Sequence, residues 1–278
     1  MNCFMRRMAE DVPLMTMERM AWIVGTTVSK DDVRAAEHPA LRQLRDSLAS
    51  KMEVLGNIAV IPVMGTLAYN PDPLEMAFYG VEDSRNVLRM VNEAAGNPNV
   101  AGILLRMDTP GGMMLGGPEI SDAVAASVKA GKPVVTHIGG LGASLGYLIA
   151  APSTRIVANR SALVGSIGII SSVTDYTEYL KNLGISMEYF TNKEAKFKAA
   201  GAVGTSLTDE QRAYIQNRMD SAFTVFKNTV QTHRPRVSAA SMQGQVMRGE
   251  EALAAGLVDA TGSETFALNM LQNKITKK

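Results

Sequence analysis

The sequence predicts an α/β fold: a parallel sheet with helices between its strands, followed by a helical C-terminal part. Two observations carry that expectation. Compact apolar runs recur at residues 58–63, 100–105, 133–138, 155–158 and 185–190, each of a length that suits a buried strand. Among them lie segments with apolar residues at helical spacing: Val87, Leu88 and Val91 within 82–95, and Ile120, Val124 and Val128 within 118–130. Alternation of this kind makes parallel units, because parallel strands need a crossover long enough to hold a helix.

Residues 1–55 read as an N-terminal helical arm, interrupted at Pro13 and Pro39, with Met15, Met17, Met20 and Val24 on a ragged apolar side. Residues 56–278 read as one domain. After the last expected strand, Thr208 and Gln211 form a capping box, and Ile215, Met219, Phe223, Phe226 and Val230 continue at helical spacing to about residue 231, short of Pro235. Two short helices are expected at 249–256 and 263–272.

Composition narrows the function. The 278 residues are 46% apolar and 20% charged, which is enough chain for a sizeable core and excludes disorder. Lys and Arg number 28 against 27 Asp and Glu, so a net charge of +1 gives no global field to recruit nucleic acid or an acidic membrane. A single cysteine, Cys3, makes no internal disulfide, and His38, His137 and His233 stand in no zinc motif; neither metal nor cofactor is expected. No apolar run approaches the roughly 18 to 20 residues of a membrane span. Glu10, Asp11, Glu18 and Arg19 interrupt the segment after Arg6 and Arg7, which is not a signal-peptide core, and a cytoplasmic location is expected.

Three elements follow expected strands, where an open α/β sheet presents its functional loops. Asp108-Thr109-Pro110-Gly111-Gly112 is a turn whose backbone N–H groups are unblocked and suit an oxyanion; it also suits a plain tight turn. Gly139-Gly140-Leu141-Gly142-Ala143-Ser144-Leu145-Gly146-Tyr147 is a small-residue elbow entering a helix. It lifts the Ser144 hydroxyl onto a helix start, as a nucleophile needs, and a simple capping serine has the same pattern. His137 precedes Ser144 within an apolar strand and reads as a core histidine, so a serine–histidine–aspartate site is poorly supported. Lys193, Lys196 and Lys198 follow residue 190, either as a solvated face or as the source of a base.

Taken in order, these elements resemble the signal peptide peptidase A (SppA) family of serine–lysine proteases, over residues 57 to 260. Residues 58–67 resemble the family's opening strand and turn. Asp108 to Gly112 resembles its (N/D)-(S/T)-P-G-G loop, and Ala143-Ser144-Leu145-Gly146-Tyr147 its A-S-G-G-Y motif. Gly165-Ser166-Ile167-Gly168 resembles its G-S-(I/L)-G turn, Lys196-Phe197-Lys198-Ala199-Ala200-Gly201 its catalytic-lysine loop, and residues 249–259 its G-x-x-A-x-x-x-G-L-V-D signature. Leu145 departs from the usual glycine and is expected to narrow the site.

The resemblance implies a ClpP/crotonase-like fold of repeated β-β-α units over an SppA-like serine protease domain at 56–278. It further implies Ser144 as nucleophile, Lys198 as base (with Lys196 as the alternative register), Gly112 and Leu145 N–H groups as oxyanion hole, and Ser166 and Gly111 as accessories. A peptide or protein is the implied substrate. With its arm and no expected membrane anchor, the chain is most similar to the phage capsid-assembly (prohead) proteases, which implies a homo-oligomeric ring in the host cytoplasm or prohead. The rival readings are a non-catalytic assembly scaffold with a relict site and a crotonase-type acyl-CoA enzyme using Glu119. A ClpP-type histidine site is disfavoured, since no histidine lies between Ser144 and His233.

Overall fold

The computed structural model describes residues 39–276, so residues 1–38 of the expected arm lie outside the described residues. The described residues divide into two compact units, a larger one of 44–170 and 217–276 and a smaller one of 39–43 and 171–216.

The larger unit is built on a nine-stranded sheet. Its strands are β1 (Glu53–Leu55), β2 (Ile58–Ala68), β3 (Glu82–Asp83), β4 (Gly102–Gly112), β5 (Val134–Ala143), β6 (Arg155–Ala158), β7 (Leu163–Gly165), β8 (Val246–Arg248) and β9 (Ala260–Thr261). The order β1-β2-β4-β5-β6-β9 is parallel apart from the β1–β2 hairpin. β3 pairs with the end of β2, and β7 pairs with the end of β5 and, antiparallel, with β8.

Strand periodicity sorts the apolar residues onto two faces. Ala59, Ile61, Val63, Ile103, Leu105 and Met107 face one cluster, completed by helices α3 (Ser84–Gly96), α4 (Gly117–Lys129) and α5 (Leu145–Ala150). Ile58, Val60, Leu104, Val135 and Val157 face the other, closed by Ala267 and Leu271 of α9 (Glu264–Thr276). Both faces are dry, which is why these strands read as continuous apolar runs rather than alternating ones. Each of the valine, leucine, isoleucine and methionine side chains contributes about 1.5–3 kcal/mol by leaving water.

The helices start where the sequence provides for it. Asp83 caps α3 by accepting from Arg85 N at 3.0 Å, and α3 buries Val87, Met90, Val91 and Ala94. Pro118 lies in the first turn of α4, where a backbone N–H would have no helical partner and the proline's lack of one costs nothing. Before these come α1 (Pro39–Leu48) and α2 (Pro73–Tyr79). The smaller unit holds α6 (Thr177–Asn182) and turns through 193–204. Next, α7 (Asp209–His233) opens with the expected reciprocal box: Gln211 N donates to Thr208 Oγ1 at 3.2 Å, and Thr208 N to Gln211 Oε1 at 3.1 Å. Last before α9 is α8 (Gly249–Ala254).

One expected strand is absent. Residues 185–190 have no regular secondary structure; Ile185 is 47% and Phe190 92% exposed, and no strand of the sheet pairs with this stretch. An apolar run becomes a strand only where a partner strand and a buried face are present. The two glycine-bearing elements differ in another way. Sequence placed them as loops after strands, whereas 108–112 and 139–143 are the bulged continuations of β4 and β5.

Candidate active site

Ser144 sits at the junction of β5 and α5 with φ 53° and ψ −124°; only Asn70 and Ser166 share its positive φ among the described non-glycine residues. Such a conformation costs about 1–3 kcal/mol and persists only where surrounding structure imposes it. Here Ser144 N donates to Gly165 O at 2.8 Å, while Ser144 O accepts from Tyr147 N at 2.9 Å and Leu148 N at 3.1 Å. The hydroxyl makes no capping bond to α5. A serine retained only to cap a helix would use its side chain for that purpose.

The Pro-Gly-Gly stretch comes directly alongside. A Cβ added to Gly111 would stand 2.7 Å from Ser144 Cβ and 2.8 Å from Leu145 N, so this glycine keeps open the space above the serine. Thr109, fully buried, sets its course: Oγ1 donates to Gly65 O at 2.5 Å and accepts from Gly111 N at 3.0 Å. The Gly111 N–H is therefore committed to Thr109. Gly112 packs its Cα onto Leu67 O, where a Cβ would lie 1.9 Å away. Leu145 N belongs to the first residue of α5, whose N–H has no partner within the helix.

Leu145 turns its side chain into the core. Its side chain is fully buried, and a Cβ on Gly117 would come within 2.1 Å of its Cδ1. The leucine fills space that Gly117 leaves at the start of α4. Ser166 has φ 51° and donates its N–H to Gln245 O at 2.7 Å, one residue after the Gly165 carbonyl that holds Ser144. Ser144, Gly111, Leu145 and the 165–166 turn thus belong to one constellation within the larger unit. His137 is 5% exposed, with Nε2 at 3.3 Å from both Asn159 Oδ1 and Gly262 O.

The lysines belong to the smaller unit. Lys196 forms an ion pair with Glu210, and its ammonium lies 5.1 Å from the centre of the Phe197 ring, which stacks on Tyr214 at 4.5 Å. Gln211 Nε2 holds Lys196 O at 3.1 Å. Lys198 is exposed, and its amine makes no hydrogen bond or ion pair among the described residues. Among those residues no three His, Cys, Asp or Glu side chains gather to hold a metal, and no helix is long and apolar enough to cross a membrane.

The model of peptidase family S49 matches residues 126–277, more than half of the chain, from within α4 through the elbow and the lysine loop to α9. The chain belongs to peptidase family S49. Among relatives of this S49 chain, capsid assembly protease C of Escherichia phage lambda is 30% identical over 82% of it and 51% of the relative. Protease 4 of Haemophilus influenzae is 27% identical over 86% and 38%, and head-tail preconnector protein GP5 of Enterobacteria phage P21 is 26% identical over 78% and 43%. The S49 chain spans about half the length of the curated relatives it matches. A solved membrane-bound stomatin-specific protease superposes on 80% of the chain and 86% of its own length, with 15% identity and a TM-score of 0.45.

The S49 signal lay in motif order rather than in any single residue. Thr109 lay within the Asp108–Gly112 motif without a role of its own, and Asn159 escaped it, because an asparagine at a strand end has no spacing pattern.

Proposed function

We propose that this S49 chain is a serine endopeptidase in which Ser144 is the nucleophile and Lys198 the base. The observation that carries this reading is the Ser144 backbone at φ 53° with a hydroxyl not used as a cap, beneath a glycine whose missing side chain leaves room for a substrate carbonyl. Ser144 Oγ attacks the carbonyl carbon and gives its proton to the neutral Lys198 amine. The N–H groups of Leu145 and Gly112 hold the developing oxyanion. Collapse of that intermediate breaks the C–N bond, the leaving amine takes the proton, and water then hydrolyses the acyl-serine.

Lys198 is favoured over Lys196 because Lys196 is already paired with Glu210. The exposed Lys198 also fits a base completed by a neighbouring subunit, as in a ring. The names of the two phage relatives support a protein of the assembling phage head as substrate, cleaved in the host cytoplasm or the prohead.

Labelling by a fluorophosphonate tests the chemistry. Wild type and Lys196→Ala should be labelled and active on a denatured protein substrate, whereas Ser144→Ala and Lys198→Ala should lose activity. Activity should rise toward alkaline pH, since only a free amine accepts the proton. An assembly scaffold with a relict site would take no label at Ser144, and activity unaffected by Ser144→Ala would move the nucleophile elsewhere.

A further inference from the structure

Between Ile138 and Gly142, β5 changes neighbours on both sides. Toward β4, the register passes from Ile138 opposite Met107 to Gly142 opposite Thr109, so three residues of β5 face the single residue Asp108. On its other side, Ile138 lies opposite Ala158, the last residue of β6, and Leu141 opposite Leu163, the first of β7; Asn159 is where β6 leaves the pairing. The regular ladder is therefore interrupted at 139–141 toward β4 and at 139–140 on the other side, in a glycine-rich stretch with little side-chain packing to hold it.

Two side chains stand in for the ladder. Asp108 Oδ1 accepts from Leu141 N at 2.9 Å, and Asn159 Nδ2 donates to Gly139 O at 2.7 Å. The Asn159 amide is itself oriented. His137 Nε2 faces two acceptors, Asn159 Oδ1 and Gly262 O, each at 3.3 Å, so Nε2 carries the proton and the asparagine turns its NH2 toward Gly139.

Ser144 follows three residues after Leu141. We infer that Asn159 and Asp108 are positioning residues for Ser144: they hold the irregular stretch in one shape and so fix the direction in which β5 delivers the serine to its strained turn. This rests on the reading of Ser144 as nucleophile. Neither residue touches the reacting atoms. Their effect comes from geometry, where a displacement of about 1 Å at a reacting group costs on the order of a hundredfold in rate.

The test is the rate at which a fluorophosphonate probe modifies Ser144 in the full chain, followed by intact mass, at a temperature where circular dichroism shows every variant folded. Asn159→Ala and Asn159→Asp, which both lose the donor to Gly139, should slow modification by about tenfold or more. Asp108→Ala should slow it several-fold, whereas Asp108→Asn keeps an acceptor for Leu141 N and should stay within about twofold of wild type. A merely structural role would not produce that rescue. If Asn159→Ala fails to fold, Asn159→Asp, of nearly the same volume, and the two Asp108 variants decide. Wild-type rates in Asn159→Asp, or an Asp108→Asn as slow as Asp108→Ala, would overturn the positioning role and leave the nucleophile standing. Equal labelling of wild type and Ser144→Ala would instead remove the nucleophile, and the positioning role with it.

Discussion

Position 145 couples the site to the core through size. Leu145 occupies the space that a side chain at position 117 would need, so the two residues are complementary as a pair. Leu145→Gly should cost about 2–5 kcal/mol in urea unfolding, since it empties a fully buried leucine site. Gly117→Ala should destabilise the wild type but cost far less beside Leu145→Gly, with a coupling of about 1 kcal/mol or more in a double-mutant cycle. Strict additivity would mean that the two residues do not compete for one space. Gly111→Ala is expected to act differently. Its methyl group would stand 2.7–2.8 Å from Ser144 Cβ, Ala143 O and Leu145 N, so fluorophosphonate labelling should fall by about tenfold or more, and stability should fall by more than the roughly 1 kcal/mol of the positive φ alone, because two of those neighbours are backbone atoms.

Among the elements, α3 and α9 are tied down by single side chains from elsewhere in the chain. Lys132 Nζ donates to Ala94 O, Ala95 O and Asn97 O at 2.7, 2.8 and 2.9 Å, closing the C-terminal end of α3 with a cation where the helix dipole favours one. Lys132→Met keeps the stem and removes those bonds; thermal unfolding should report a loss of about 1–3 kcal/mol. At the start of α9, Arg106 of β4 grips Glu264 with bonds of 2.8 and 2.7 Å, which holds the Glu264 carboxyl below its ordinary 4.5 against the opposing effect of burial. A lowered folded-state value means stability present above the unfolded value and lost as pH falls through the folded one. Glu264→Gln should therefore be less stable than wild type at pH 7 by about 1 kcal/mol, with the gap closing as the pH falls below the ordinary 4.5. A constant gap from pH 7 to 3 would contradict this. The central strands were legible in the sequence because Ile61, Leu104 and Val135 sit in apolar runs buried on both faces. β7 and β8 were not, since three-residue strands show no periodicity. Residues 185–190 misled for the reverse reason: apolar composition without a partner strand. At the candidate site, the serine elbow and the Pro-Gly-Gly stretch were legible as glycine patterns, but glycine read as a strand's end when it marks a bulge within one.

For the whole molecule, the proposed nucleophile and base belong to different compact units, and the base is exposed. The proposed active form, assembled from several copies, is tested by complementation. Ser144→Ala and Lys198→Ala, each inactive alone, should recover a fraction of wild-type activity when co-expressed, because some interfaces then pair an intact serine with an intact lysine. Mixed assemblies that form, as shown by native mass spectrometry, yet stay inactive would place both groups within one chain. The change of neighbours along β5 has a consequence for motion. Residues 135–138 are flanked by ladders on both sides, and Ser144 N is held by Gly165 O, but Leu141 N rests on an exposed carboxylate. Deuterium uptake should therefore be slow, then fast, then slow again along a single strand. The strand would behave as two stiff rods whose joint keeps its angle through two side-chain struts, so loosening either strut should swing the serine while the sheet behind it stays still.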